Sequence, residues 1–273
     1  MVAGVASTQA GGAVAKTLFD DLGPTGTVLL RTVFAALVLA LLWRPRIAGH
    51  DRRDLLTAIA FGLALAAMNL SFYEALDRIP LGIAVTIEFV GPLAVAVGGS
   101  RRALDLVWVL LAAGGILLLA RGGGDVEAAG VWLALLAGFF WALYILLSAR
   151  TGRAFPGGSG LALAMVVGSV ALAPVGIAGA GSDLLDPGLL AAGFGVAMLS
   201  SAIPYSLELE ALRRLPARVF GILLSLEPAM AALAGFVILG EGLRLRDGIA
   251  IALVAAASAG ASMTATAQPA PEA

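Results

Sequence analysis

Cysteine is absent from the 273-residue sequence, and histidine occurs once, as His50. Without cysteine there can be no disulfide, thiolate metal site or cysteine nucleophile, and a lone histidine leaves metal catalysis or a Ser-His pair little to work with. Charge is scarce too: 13% of residues are Asp, Glu, Lys or Arg, against ~25% in soluble domains. A formal net charge of -1 supplies no basic field to hold nucleic acid. Disorder is excluded, because unfolded segments stay solvated through high charge and low hydrophobicity, and here both are reversed. What is abundant is apolar: 60% hydrophobic residues, with 35 glycines besides. No enzyme chemistry, cofactor or metal is expected. The remaining class is a polytopic membrane protein.

An apolar helix needs ~20 residues to cross ~30 Å of hydrocarbon. Polar breaks at 20–26, 44–54, 76–80, 98–105, 121–127, 149–158, 181–188, 210–216 and 240–247 separate ten apolar runs. The spans are 2–19, 24–43, 55–75, 80–98, 104–120, 128–148, 159–179, 188–209, 216–239 and 248–266. Their continuous apolarity argues against the ~10-residue alternating strands of a membrane barrel. The first run lacks a basic n-region and carries Gln9 and Lys16, so it reads as a retained helix rather than a signal peptide. The expected fold class is all-α, with ten transmembrane helices.

Orientation follows from Lys and Arg in short loops. With the N-terminus inside, the inner connections hold Arg44, Arg46, Arg52, Arg53, Arg101, Arg102, Arg150, Arg153, Arg213, Arg214 and Arg218, and the outer ones only Arg78, Arg121, Arg244 and Arg246. Both termini are therefore expected in the cytoplasm. Residues 267–273 read as a frayed tail.

The halves repeat. Glu74-Ala75-Leu76 with Arg78 and Pro80 matches Glu210-Ala211-Leu212 with Arg214 and Pro216 at an offset of 136, and Pro92 matches Pro228 at the same offset. Units of five helices, at 1–122 and 128–266, must be inverted relative to one another because five is odd. Inverted repeats are characteristic of secondary transporters, with the substrate site near the midplane.

Ionisable groups within the hydrocarbon mark candidate sites. Arg31, Glu88 and Glu227 fall near mid-membrane in helices 2, 4 and 9. Lys16 lies nearer the outer end of helix 1, on the face of Gln9 and Gly12, where it could also snorkel to the interface. Glu208 shares a face with Ser201, Pro204 and Tyr205; Asn69 and Tyr73 share one on helix 3. The alternative for all of them is interhelical glue. Glu74 and Glu210, at helix ends beside arginines, read as structural pairs. Gly130, Ala134, Gly138 and Ala142, and separately Ala252, Ala256 and Gly260, read as packing stripes. The aromatics Phe139, Phe140, Trp141 and Tyr144 could line a pocket or face lipid. His50, between Gly49 and Asp51 in a basic loop, reads as a solvated side chain.

Three blocks carry a family resemblance: residues 80–96 around Glu88, Pro204-Tyr205-Ser206-Leu207-Glu208 with Arg214 to Gly221, and Ser225-Leu226-Glu227-Pro228 to Ala232. With Gln9, Lys16, Arg31, Ser100-Arg101-Arg102 and Trp141-Ala142-x-Tyr144, the chain resembles the drug/metabolite transporter superfamily in its EamA-domain group. Within that group it resembles the bacterial inner-membrane exporters of threonine and homoserine. Thr86, Val90, Gly98-Gly99 and a shortened segment after Arg153 depart from that pattern.

The resemblance implies two EamA-type repeats and export of a small metabolite across the cytoplasmic membrane by alternating access. A zwitterionic amino acid needs a cation for its carboxylate and an anion for its ammonium. Arg31, with Lys16, could supply the first, and Glu88 or Glu227 the second. Tyr144, Tyr205, Glu208, Asn69 and Tyr73 complete the candidate substrate-binding or coupling set. A mid-membrane acid could also exchange a proton for substrate, making protons the expected coupling ion. Exporters of purines, aromatics or cationic drugs are the alternative on the same fold. The expected partners are an amino-acid substrate, protons and the lipid bilayer; a homodimer is left open.

Overall fold

In a computed structural model, residues 1–45, 47–98, 103–120, 126–205, 207–208 and 217–264 are described, and these are helical with short connections and no strand. The helices are α1 Val2–Lys16, α2 Phe19–Trp43, α3 Arg52–Leu76, α4 Leu81–Glu88, α5 Val90–Gly98, α6 Ala103–Ala120, α7 Ala128–Ala154 and α8 Ser159–Ala180. After a 3-10 turn at Gly181–Leu185 come α9 Pro187–Ala197, continued by a π-helical turn Met198–Ala202, then α10 Ala217–Leu224, α11 Glu227–Leu239 and α12 Leu245–Thr264. Among the described residues, eight helical stretches are long and apolar enough to cross a membrane: Phe19–Trp43, Arg52–Leu76, Leu81–Gly98, Ala128–Ala154, Ser159–Leu185, Pro187–Tyr205, Val219–Leu239 and Leu245–Met263. α1, with 15 residues, and Leu104–Leu119 are shorter. The outer surface is what a bilayer requires: Leu41, Trp132, Val170 and Val237 are each 69–76% exposed.

The bundle is assembled by helix pairs. α2 packs on α8, α3 on α7 and α8, α6 on α12, α1 on α11 and the π turn, and α4 on both α7 and α11. Between apolar helices in lipid, close contact of small residues replaces the hydrophobic effect as the driving force. Gly91 of α5 lies against the Gly138 carbonyl of α7, and a Cβ on Gly82 would stand 2.7 Å from the Ala232 Cα. Gly130, Ala134 and Gly138 accordingly form a buried seam on α7. Helix α12 departs from expectation. Ala252 and Ala256 are exposed, while Ala250, Val254, Ala257 and Ala261 are buried. Gly260, the member of that stripe that is buried, lies under the indole of Trp108.

Three loop expectations change. Segment 20–26 is helical rather than a loop, apart from Gly23, whose φ of 63° and ψ of 170° kink α2. Pro24 then restarts the helix where its missing N–H is harmless. α7 continues to Ala154, through residues expected to be a loop. His50 is not free in water: its ring stacks on Phe155 at 4.1 Å and 11°, and its Nδ1 is buried without a hydrogen-bond partner. The imidazole has an apolar face to cover, and Phe155 at the end of α7 covers it. The pairing of Glu74 with Arg78 is present at 2.7 Å. The second copy of that motif (210–216), Arg46, Arg101, Arg102, Arg121, Arg213, Arg214 and the tail 267–273 lie outside the described residues.

Gly138→Val would set a side chain into the α4 backbone, since a Cβ there stands 2.7 Å from the Glu88 carbonyl oxygen. It is expected to destabilise the bundle by about 1–3 kcal/mol. Gly114→Ala, which meets nothing within 4 Å, is expected to leave the melting temperature in detergent unchanged or slightly raised.

Candidate functional site

Three irregularities in the helices occur four residues before a proline. Proline has no N–H to offer the carbonyl four residues earlier, so that carbonyl is released from the helical ladder. Pro92 releases Glu88, where α4 ends and α5 takes over. Pro204 releases Ser200, inside the π turn. Pro228 releases Leu224, where α10 ends before α11. Irregular backbone at membrane depth is tolerated only where protein or a cavity receives it. The Glu88 carbonyl is received by Gly138, and Glu88, Ser200 and Leu224 all line one cavity.

That cavity encloses about 350 Å³ between α1, α2, α3, α4, α7, the end of the α9 segment, α10 and α11. This is at the small end of the ~300–1,000 Å³ usual for small-molecule sites. Its ionisable lining is Arg31, Glu88, Glu208 and Glu227, with Tyr73, Tyr144 and Tyr205 beside them. Asn69, Gln9, Thr8, Ser148 and Ser200 add neutral polar groups; Phe72, Trp141, Phe220, Met68 and Val85 supply apolar wall. A smaller pocket of about 150 Å³ shares Tyr144 and Ser148 with it and continues between Thr151, Gly157 and Gly160.

Arg31 is held by neutral partners. Its Nε donates to Ser201 Oγ at 3.2 Å, its Nη1 donates to the Tyr73 hydroxyl at 3.3 Å, and the guanidinium lies 5.4 Å over the Tyr73 ring. Glu88 and Glu227 are 7% and 6% exposed, and neither has a hydrogen bond or ion pair within 4 Å among the described residues. A buried charge without a partner is costly unless something in the cavity compensates it. The site is therefore prepared with one cation and three acids that do not neutralise one another by direct contact. Asn69 donates its Nδ2 to Leu65 O at 2.8 Å, which leaves its Oδ1 to the cavity.

Of the nine residues expected to form the site, Arg31, Asn69, Tyr73, Glu88, Tyr144, Tyr205, Glu208 and Glu227 come together around this cavity. Lys16 does not. It ends α1 and forms an ion pair with Glu241 at 2.8 Å, while donating to Ile79 O at 3.1 Å. The other carboxylate oxygen of Glu241 accepts the Leu81 N–H at 2.8 Å, a donor that the first turn of α4 leaves unpaired. One ionic latch thus ties the C-terminus of α1, the N-terminus of α4 and the turn after α11. Among the open aromatics, Trp141 and Tyr144 line the cavity, and Phe139 is 58% exposed. Thr8, Gln9, Ser200, Phe220 and Leu224 were not anticipated as lining. Ser200 and Leu224 carried a local signal, the proline four residues on, and Gln9 and Phe220 stood out only through the family resemblance and, for Gln9, the face it shares with Lys16.

A bundle of membrane-crossing helices broken around a charged cavity is the architecture of a membrane transporter. The EamA-like transporter family matches residues 128–263, and the chain belongs to that family. The threonine/homoserine exporter RhtA of Salmonella typhimurium (strain SL1344) is 42% identical over 271 residues, 97% of this chain and 90% of the relative. RhtA of Escherichia coli (strain K12) is 42% identical over 270 residues with the same coverage. A solved crystal structure matches with a TM-score of 0.56 over 95% of this chain and 98% of that one; at 21% identity it speaks to the fold alone.

The latch has a thermal signature. Lys16→Met and Glu241→Gln are each expected to lower the melting temperature in detergent. The double exchange Lys16→Glu with Glu241→Lys is expected to recover part of the loss, since it restores the pair but not the contacts to Ile79 O and Leu81 N–H.

Proposed function

We propose that this chain exports small amino acids, threonine and homoserine among them, across the bacterial cytoplasmic membrane. The observation that carries the reading is the cavity: one arginine and several carboxylates, unpaired with each other, in a volume suited to a molecule with one negative and one positive group. The relatives named as threonine/homoserine exporters support the substrate class. Arg31 is positioned by Ser201 and Tyr73, with Tyr205 also beside it, and its guanidinium presents a planar fork to a carboxylate. Glu88 or Glu227 receives the ammonium. A second carboxylate carries a proton in exchange, which couples export to the proton gradient.

The transport cycle follows from two inverted five-helix repeats, 1–122 and 128–266. The packing supports this pairing. Exchanging α1 with α7, α2 with α8, α3 with α9, the α4–α5 pair with the α10–α11 pair, and α6 with α12 carries several of the main helix contacts onto one another, though not all: α2 packs on α3 with no α8–α9 contact of matching extent among the described residues. For example, α1 against α11 becomes α7 against α4 and α5, and α3 against α7 becomes α9 against α1. The helix breaks at Pro92 and Pro228 exchange as well. With both termini in the cytoplasm, the Lys16–Glu241 latch stands at the outer face. Release of substrate outward requires it to part while the repeats rock.

Proteoliposome counterflow tests the reading. Threonine and homoserine are expected to exchange, and Arg31→Lys, which loses the planar fork, is expected to reduce exchange by at least about tenfold. Glu227→Gln is expected to keep counterflow but abolish the response to an imposed pH gradient; an undiminished response in a correctly inserted variant would remove Glu227 from coupling. The aromatic wall of Phe72, Trp141, Tyr144 and Phe220 favours a second reading, export of planar metabolites. Exchange of purines or aromatic cations with no exchange of amino acids would establish it instead.

A further inference from the structure

With Arg31 and the acids assigned to the two charges of an amino acid, the neutral polar groups of the cavity differ in what they have left to offer. Thr8 Oγ1 donates to Gly4 O at 3.2 Å, Ser148 Oγ to Ile145 O at 3.0 Å and Ser200 Oγ to Val196 O at 2.6 Å, so these hydroxyl protons are consumed by their own helices. Gln9 is different. It is 5% exposed, lines the cavity, and its side-chain amide makes no hydrogen bond among the described residues. Its amide is not among the fully enclosed unpartnered polar atoms, so its hydrogen-bonding capacity is open to whatever the cavity holds.

Its position is pinned from both directions along α1. Two residues before it, Ser7 Oγ donates to Leu199 O at 2.6 Å; two residues after it, Gly11 packs on Leu199 and Ser200 so closely that a Cβ would stand 2.8 Å from the Ser200 Cβ. The neighbouring Ser201 accepts from Arg31. Gln9 is thus held at the level of the arginine anchor, on a helix that also packs against α11, the helix that begins at Glu227. An amide both donates and accepts, as an alcohol does. Once carboxylate and ammonium are bound, a hydroxylated side chain has one polar group remaining.

We propose that Gln9 reads the side-chain hydroxyl of the transported amino acid and so selects hydroxylated substrates over apolar isosteres. The inference rests on the amino-acid reading of the cavity and names what that reading leaves open, the feature that separates threonine from valine. A neutral hydrogen bond is worth about 1 kcal/mol net, but a site whose buried polar group is stranded by the wrong ligand discriminates more strongly.

The test is competitive counterflow in proteoliposomes with two isosteric pairs, threonine against valine and homoserine against norvaline. The wild type is expected to prefer each hydroxylated member by at least about tenfold. Gln9→Met, similar in volume but without hydrogen bonding, is expected to bring both ratios to within about threefold of unity while valine flux persists. Gln9→Asn, which keeps the amide, is expected to retain part of the preference. Equal preference in the wild type would overturn the proposal, as would unchanged ratios in Gln9→Met. So would a uniform loss of all four substrates in both variants at wild-type melting temperature, because Gln9 would then serve packing or the amino-acid backbone. Exchange of no amino acid by the wild type is a distinct result and removes the amino-acid reading itself.

Discussion

In hydrocarbon, a released backbone carbonyl has no water to accept from, and the architecture of this protein follows from where such releases are placed. Pro92, Pro204 and Pro228 each free the carbonyl four residues earlier, and each freed position turns inward to one cavity. The same interruptions shorten the helical segments there and allow polar side chains to enter: Glu88 at the end of α4, Ser200 and Ser201 in the π turn, Glu227 at the start of α11. Close glycine contacts complete the arrangement. Gly91 and Gly138 let α5 and α7 approach where the Glu88 carbonyl needs cover. Proline placement and small-residue packing are thus two parts of one solution to an unsatisfied backbone.

The charges divide into two populations with opposite physics. Lys16 with Glu241 and Glu74 with Arg78 are paired, part-exposed and local in effect. Arg31, Glu88 and Glu227 are buried and not paired with one another. Holding Arg31 with a tyrosine and a serine positions the guanidinium without cancelling its charge, so its attraction is kept for a ligand. A carboxylate in place of Tyr73 would have made a tighter structural bridge and a poorer binding site. The latch is the complement of this arrangement, since an ion pair near an exposed end can form and break at modest cost.

Much of the site was legible in the residues because intramembrane charge is rare enough to be informative. Arg31, Glu88 and Glu227 stand out for depth alone, and Asn69, Tyr73, Tyr205 and Glu208 for sharing their helical faces. Lys16 pairs with Glu241, 225 residues away, a partner that sequence depth does not reveal. Gln9 was visible as a polar interruption of the first run, as a helix-face neighbour of Lys16 and in the family resemblance, not as a lining residue. Its importance depends on what other helices fail to offer it, and a sequence does not record absent partners. Proline spacing was the one local signal of the breaks, but it is not sufficient: Pro174 lies inside α8 without ending it, and the residue four before it, Val170, faces outward at 69% exposure.

Composition and periodicity by themselves determined that the chain is helical and belongs in a bilayer, because 60% apolar residues in runs of about 20 admit few other folds. They also determined which side chains are too polar to meet lipid. Tertiary packing decided which of those meet one another. Helix faces are set by a 3.6-residue period, but the rotation and crossing of each pair depend on contacts such as Trp108 over Gly260 and Gly91 on Gly138, between residues far apart in the chain. Only those contacts gather Arg31, Glu88 and Glu227 around one cavity and send Lys16 to Glu241.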